Sequence, residues 1–180
     1  MTGKTHAIAG TAMSALALNM ALNGALPYQS AGLTISQVPL IAAGGFVGGL
    51  FPDIDLHNSR VGQATGAISR AIERLFGHRT LFHSPACYIL LAFFMFRVIG
   101  GDWVYWFTVP FLFGVASHLL LDMCNRSGIP LLYPCKRRFR IMTAELDGPV
   151  EVLTRILCSI AVVALVGLSV YQIVLGRKVG

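Results

Sequence analysis

Five histidines and a handful of carboxylates hold most of the chemistry in this 180-residue chain. His118 and Asp122 stand four residues apart at the end of an apolar run, residues 103–122, that carries no charge before Asp122. On a helix this spacing stacks both side chains on one face. Such a pair can share one metal ion, or can form a hydrogen-bonded cap at a helix end. Asp53 and Asp55 follow another apolar run directly, in Pro52-Asp53-Ile54-Asp55. Two carboxylates there are costly without a cation or metal, unless the turn is simply solvated. His78, Arg79, His83 and Ser84 crowd into one stretch before a third apolar run, His6 stands at the start of the first, and His57 lies in the same region as the others.

Imidazoles and carboxylates without thiolates suit Zn²⁺, Mn²⁺ or Fe, and a set this size could hold two ions. The candidate ligands are His6, Asp53, Asp55, His78, His83, His118 and Asp122, and the candidate catalytic residues are Asp55, His83 and Arg79. Metal would activate water and neutralise charge developing on a phosphoryl oxygen. Arg79 and neighbouring loop arginines would clamp the phosphate. The expectation is metal-dependent hydrolysis at a membrane face. The rival is a non-catalytic metal-binding membrane protein with a structural, sensing or transport role. An open coordination position favours the enzyme and a closed four-ligand site the staple. A transporter needs polar groups at mid-membrane depth, and Asn19, Asn23 and Arg97 are few.

The elements that must position these residues are membrane helices. The chain is 55% hydrophobic and 12% charged, with positive mean hydropathy, where a soluble domain approaches about a quarter charged. The expected class is all-α: a polytopic membrane protein of one domain, residues 1–180, with about five membrane helices and an amphipathic interfacial helix. The first run, residues 7–26, is longer than a signal-peptide core and reads as a retained helix. The second, residues 38–51 extended back to Leu33, has Gly44/Gly48 and Gly45/Gly49 at the spacing of close helix packing. Within residues 56–80, Val61, Ala64, Ile68, Ala71, Ile72 and Leu75 recur at helical spacing with arginines on other faces, the pattern of a helix lying on a membrane surface.

Residues 85–100 form the third run; Ser84 is placed to cap it, and Arg97 to snorkel. Trp103, Tyr105 and Trp106 open the fourth as an aromatic belt. Turn residues Pro27, Ser30 and Gly32 fill the first loop, Glu145 and Asp147 read as solvated acids, and Glu151 is left open. Residues 156–175 form the last helix. The four cysteines show no C-x-x-C spacing and read as reduced thiols.

Two loops, residues 56–80 and 123–155, hold ten of the fourteen basic residues and flank two crossings. Lys136 belongs to the second. The positive-inside rule puts both loops in the cytoplasm, with the N-terminus and every candidate ligand. The C-terminus then emerges in the periplasm, a step that the Arg177-Lys178 tail mildly opposes. With topology accounting for the basic residues, no nucleic-acid partner is expected; membrane lipids and a lipid-linked or phosphorylated substrate are.

On Thr5-His6 with Gly10, Pro52-Asp53-Ile54-Asp55, Gly77-His78-Arg79 through His83-Ser84, Ser117-His118 with Asp122, and Gly128-Ile129-Pro130-Leu131-Leu132-Tyr133-Pro134, the chain resembles the YdjM-like family of bacterial inner-membrane metal-dependent hydrolases. The motifs run in family order over about residues 1–140. Thr80-Leu81-Phe82 replaces the family's Gly-Phe-Thr before the second histidine, which alters a hydrogen bond behind that ligand. The family is distantly similar to zinc-dependent phospholipases C and single-strand nucleases, whose His-x-x-x-Asp element His118 and Asp122 match. The resemblance implies zinc and phosphoester hydrolysis on a membrane-accessible substrate. No motif falls on the last helix.

Overall fold

Glycine decides how closely the helices approach. In α2 (Val38–Leu50), Gly45 and Gly49 face α1 (Gly3–Leu22), while Gly44 and Gly48 face a second long helix at residues 102–123. A Cβ on Gly45 would lie 2.7 Å from the Gly10 carbonyl oxygen, and one on Gly49 2.5 Å from that of His6. Cβ atoms on Gly44 and Gly48 would run into the backbones of Phe107 and Phe111. Both glycine ridges expected from the sequence therefore carry backbone-to-backbone contacts, one on each side of α2.

The computed structural model describes residues 2–26, 33, 35–135, 137–141 and 148–174. Pro27, Ser30, Gly32, Lys136, Glu145, Asp147 and the Arg177-Lys178 tail lie outside the described residues. After α2 the chain tightens into a 3₁₀ turn, Phe51–Asp55. The expected interfacial helix is two pieces, α3 (Arg60–Thr65) and α4 (Ala67–Phe76), broken at Gly66, whose φ of +54° suits glycine. Ile68 and Leu75 of α4 are exposed, and the Ser69 hydroxyl donates to the Ile54 carbonyl at 2.7 Å, tying α4 beneath the Asp53–Asp55 turn. A 3₁₀ turn, Leu81–His83, leads into α5 (Pro85–Phe94), which ends in a π turn, Met95–Ile99. The long helix α6 (Asp102–Met123) and α7 (Pro149–Val174) complete the bundle.

The fold is all-helical; among the described residues the nearest approach to a strand is one bridge pair, Ile129 with Phe139. Ile35–Asp55, Asp102–Met123 and Pro149–Val174 are long and apolar enough to cross a membrane. Pro85–Ile99 is apolar but shorter than the roughly 20 residues a crossing needs. The helix α1 spans 20 residues yet keeps polar groups such as Ser14 and Asn19. It can do so because it packs against α2, α6 and α7 inside the bundle, where those groups find partners.

Four expectations change. The first helix begins at Gly3, so His6 lies inside it. The last begins at Pro149, so Glu151 and Arg155 are helical; the charges obscured that start in the sequence. Trp106 is a core residue, 3% exposed beside Ala17, Leu18, Leu33 and Ile41, whereas Trp103 keeps a belt residue's exposure. Ser84 is the N-cap residue of α5 but makes no side-chain cap bond. Its hydroxyl donates to the Leu131 carbonyl at 3.1 Å and accepts the Tyr133 N–H at 3.4 Å, holding the proline-broken loop against the bundle. All four cysteines are free.

Candidate metal centre

Helices that reverse direction bring alternate ends together. The N-termini of α1, α5 and α7 and the C-termini of α2 and α6 meet at one end of the bundle, where the expected ligands collect. His6, Asp55, His83, His118 and Asp122 are buried; Asp53 and His78 reach the surface in part. So many buried polar groups at one spot need mutual satisfaction or a cation.

His118 shows which. Its Nδ1 lies 2.7 Å from the Gly49 carbonyl oxygen. A carbonyl only accepts, so Nδ1 carries the proton and donates. Nε2 then faces Asp53 Oδ1 at 3.6 Å and Asp122 Oδ2 at 3.8 Å, buried and without a hydrogen bond. His83 repeats the arrangement. Its Nδ1 faces Asp55 Oδ2 at 3.1 Å, and Nε2 lies 3.3 Å from Asp122 Oδ2, again without a hydrogen bond. The ring of His6 stacks on that of His118 at 3.8 Å between centroids, with Nε2 3.7 Å from Asp122 Oδ1. Imidazole Nε2 atoms from three segments thus converge on two carboxylates at separations of 3.3–3.8 Å. In His118 and His83 the far nitrogen is held by a hydrogen bond, the pattern of metal-ligating histidines, whereas His6 Nδ1 has no partner.

Three groupings bring ligand atoms within 4.8 Å of one another: His6–His118–Asp122, Asp53–His83–His118 and Asp55–His78–His83. Shared His118 and His83 make them one connected centre. Asp55, fully buried, sits behind it: besides His83 it accepts from His78 Nδ1 at 2.7 Å and from the Arg79 backbone N–H at 3.0 Å. Arg79 adopts φ +56° to make that bond, a left-handed conformation costing a non-glycine residue about 1–3 kcal/mol. Its guanidinium donates to Asp122 Oδ1 at 3.1 Å and to the Ser127 hydroxyl. Burial alone would lower the pKa of His83, but the Asp122 and Asp55 carboxylates prevail and raise it to about 9.

A polar cleft of about 240 Å³ opens onto the centre, lined by His6, Asp53, His78, Arg79 and Asp122 together with Asn58, Ser59 and Arg60. His57 lies apart, held at the surface by Glu73, which accepts from its backbone N–H at 2.9 Å and contacts its ring. Phe82 stands where the resemblance places threonine; its carbonyl accepts the Tyr88 hydroxyl at 2.6 Å, bracing the turn before His83 through backbone. The sequence pointed to neither the Gly49 carbonyl nor Ser127. Glu151 also has a partner at this end: its Oε1 accepts from Thr2 and Thr5. An acid three residues into an apolar run was the available sign.

Three helices long and apolar enough to cross a membrane, with a buried histidine–carboxylate centre at one end, define a helical membrane protein that carries a candidate metal site. The chain belongs to the YdjM inner membrane protein family, which matches residues 1–177. The inner membrane protein YdjM of Escherichia coli (strain K12) is 43% identical over 98 residues, covering 51% of this chain and 48% of the relative. The YdjM protein of Shigella flexneri matches to the same extent. The match thus spans about half the length of these relatives. The protein YvsG of Bacillus subtilis (strain 168) is 35% identical over 141 residues, 78% of each chain. No solved structure matches. The family and the apolar helices make this an inner-membrane protein.

Proposed function

We propose that the protein is a membrane-bound, metal-dependent hydrolase that cleaves a phosphoester of a lipid or lipid-linked substrate at the cytoplasmic face of the inner membrane. The observation that carries the reading is His118. A neutral imidazole whose Nε2 lone pair faces two carboxylates at 3.6 and 3.8 Å is unfavourable unless a cation lies among them. The residues fit zinc, with Mn²⁺ or Fe²⁺ as chemical alternatives. His6, His83, His118, Asp53 and Asp122 would hold a first ion, and Asp55 with His78 offers donors for a second. Bound metal would supply an activated water and neutralise charge on a phosphoryl oxygen.

The chain's own residues supply the rest. The Gly49 carbonyl and Asp55 fix the rings of His118 and His83. Arg79, expected as a phosphate clamp, lines the cleft and also braces Asp122 and Asp55. Arg60 lines the mouth of the cleft, exposed and without an ion pair among the described residues, so its guanidinium is free to orient a substrate phosphate. The cytoplasmic placement follows from the arginines of α3, α4 and the loop after α6, which share this end of the bundle. The C-terminus is then periplasmic.

A second reading also has support. The donors come from four separate segments, so an ion here would staple them without any reaction. The test is hydrolysis by zinc-loaded protein in phospholipid nanodiscs, reading diacylglycerol together with the phosphorylated headgroup, or with phosphate where phosphatidic acid is the lipid. Release that Asp53→Ala abolishes and Arg60→Gln slows through KM supports the enzyme. Zinc-loaded protein that releases neither leaves the staple.

A further inference from the structure

The helix α7 contributes none of the candidate ligands, yet its one buried carboxylate among the described residues faces the turn that holds His6. Thr2 is the N-cap of α1 but makes no side-chain cap bond, and the first turn holds no acid. The Glu151 carboxylate, from the far end of the sequence, fills that place. Its Oε1 accepts the Thr2 N–H at 2.8 Å, the Thr2 hydroxyl at 2.5 Å and the Thr5 hydroxyl at 2.6 Å. A carboxylate there satisfies an unpaired backbone donor and meets the positive end of the helix dipole.

The neighbouring imidazole needs such support. His118 is braced by Gly49 and His83 by Asp55, but among the described residues His6 has no hydrogen bond to either ring nitrogen; Nδ1 is buried without a partner and Nε2 stands 3.7 Å from Asp122. Its position is therefore set by the backbone turn that carries it and by stacking on His118. We infer that Glu151 is a positioning residue for His6: capping α1 from α7, it fixes the turn that presents this imidazole to the metal centre. The inference rests on the metal-centre reading.

Cobalt(II) substitution tests it, because the visible ligand-field bands report the ligand set without any assay of activity. Purified full-length wild type is compared with His6→Ala, Glu151→Ala, Thr5→Val and Ser169→Ala. Ser169 belongs to a second contact between the same helices, where its hydroxyl accepts from Asn19 at 2.7 Å. Glu151→Ala and Thr5→Val are expected to weaken cobalt binding about tenfold and to move the bands toward those of His6→Ala. Glu151→Gln, which keeps an acceptor oxygen, should recover most of the loss, and Ser169→Ala should leave the spectrum unchanged. Should Glu151→Ala not fold, Thr5→Val decides. Wild-type bands and affinity in Thr5→Val, or an equal shift in Ser169→Ala, would overturn the inference. Wild type that takes up no cobalt overturns the metal reading with it, whereas cobalt binding without hydrolysis removes only the hydrolase.

Discussion

The helices α6 and α7 are both long and apolar enough to span a membrane, but 56% of the span in α6 is buried inside the protein against 11% in α7. The first is an inner helix whose Gly114 meets the backbone of α2 and whose last turn carries His118 and Asp122. The second leaves most of its surface outward and is held through a few polar side chains. Glu151 binds Thr2 and Thr5 at the histidine–carboxylate end, and Ser169 and Gln172 bind Asn19 and Asn23 farther along. Apolar surface gains little by helix contact when lipid is the alternative, so packing must come from close backbone approach or from polar groups. One helix uses each solution.

The largest effect should separate the two. Gly48→Leu is expected to prevent assembly, because its Cβ would enter the Phe111 backbone, which cannot move aside; overpacking costs about 1–3 kcal/mol even where neighbours yield. Gly167 of α7 has open space around it, so Gly167→Ala should be neutral or raise stability by up to ~1 kcal/mol through helix propensity. Thermal unfolding in detergent, followed by circular dichroism, distinguishes them. Equal destabilisation would break the contrast.

Next comes Asp122→Ala. It removes the acceptor for Arg79 and the carboxylate facing His6, His83 and His118. Removing one partner from a buried charged network costs about 3–5 kcal/mol, and the same thermal scan should register it. Ser169→Ala on α7 should cost only about 0.6 kcal/mol, the usual scale of an interhelical hydrogen bond in a membrane. A loss as large as that of Asp122→Ala would mean that α7 is as deeply integrated as α6.

The smallest effect lies outside both helices. Hydrogen bonds from the His57 backbone and ring hold the half-buried Glu73 carboxyl below its ordinary value. Its contribution is therefore present above the usual glutamate range and is lost as pH falls through the lowered value. Glu73→Gln should remove that acid-side dependence while leaving metal content intact. Metal loss in this variant would place His57 in the centre.

Much of this arrangement was legible in the sequence because helix ends alternate. Once 38–51, 85–100 and 103–122 read as crossings, Asp53, Asp55, His118 and Asp122 fell on one side with His6, His78 and His83. The glycine spacing likewise announced the packed faces of α2. What stayed hidden depends on rotation about helix axes and on contacts across about 150 residues. Trp106 has a belt residue's composition but turns toward Ala17 and Ile41. Glu151, left open in the sequence, finds its place only when α1 is seen beside it. Arg79 looked available for substrate, and only three-dimensional geometry shows its guanidinium engaged by Asp122 and Ser127.

The central claim is that the convergent imidazoles and carboxylates hold metal, and elemental analysis of freshly purified, unchelated protein tests it most directly. Wild type should carry one or two equivalents of zinc, His118→Ala and Asp53→Ala should lose it, and His57→Ala should keep it. Metal-free wild type, or zinc retained in His118→Ala, would contradict the account and leave a hydrogen-bonded polar cluster at the end of the bundle.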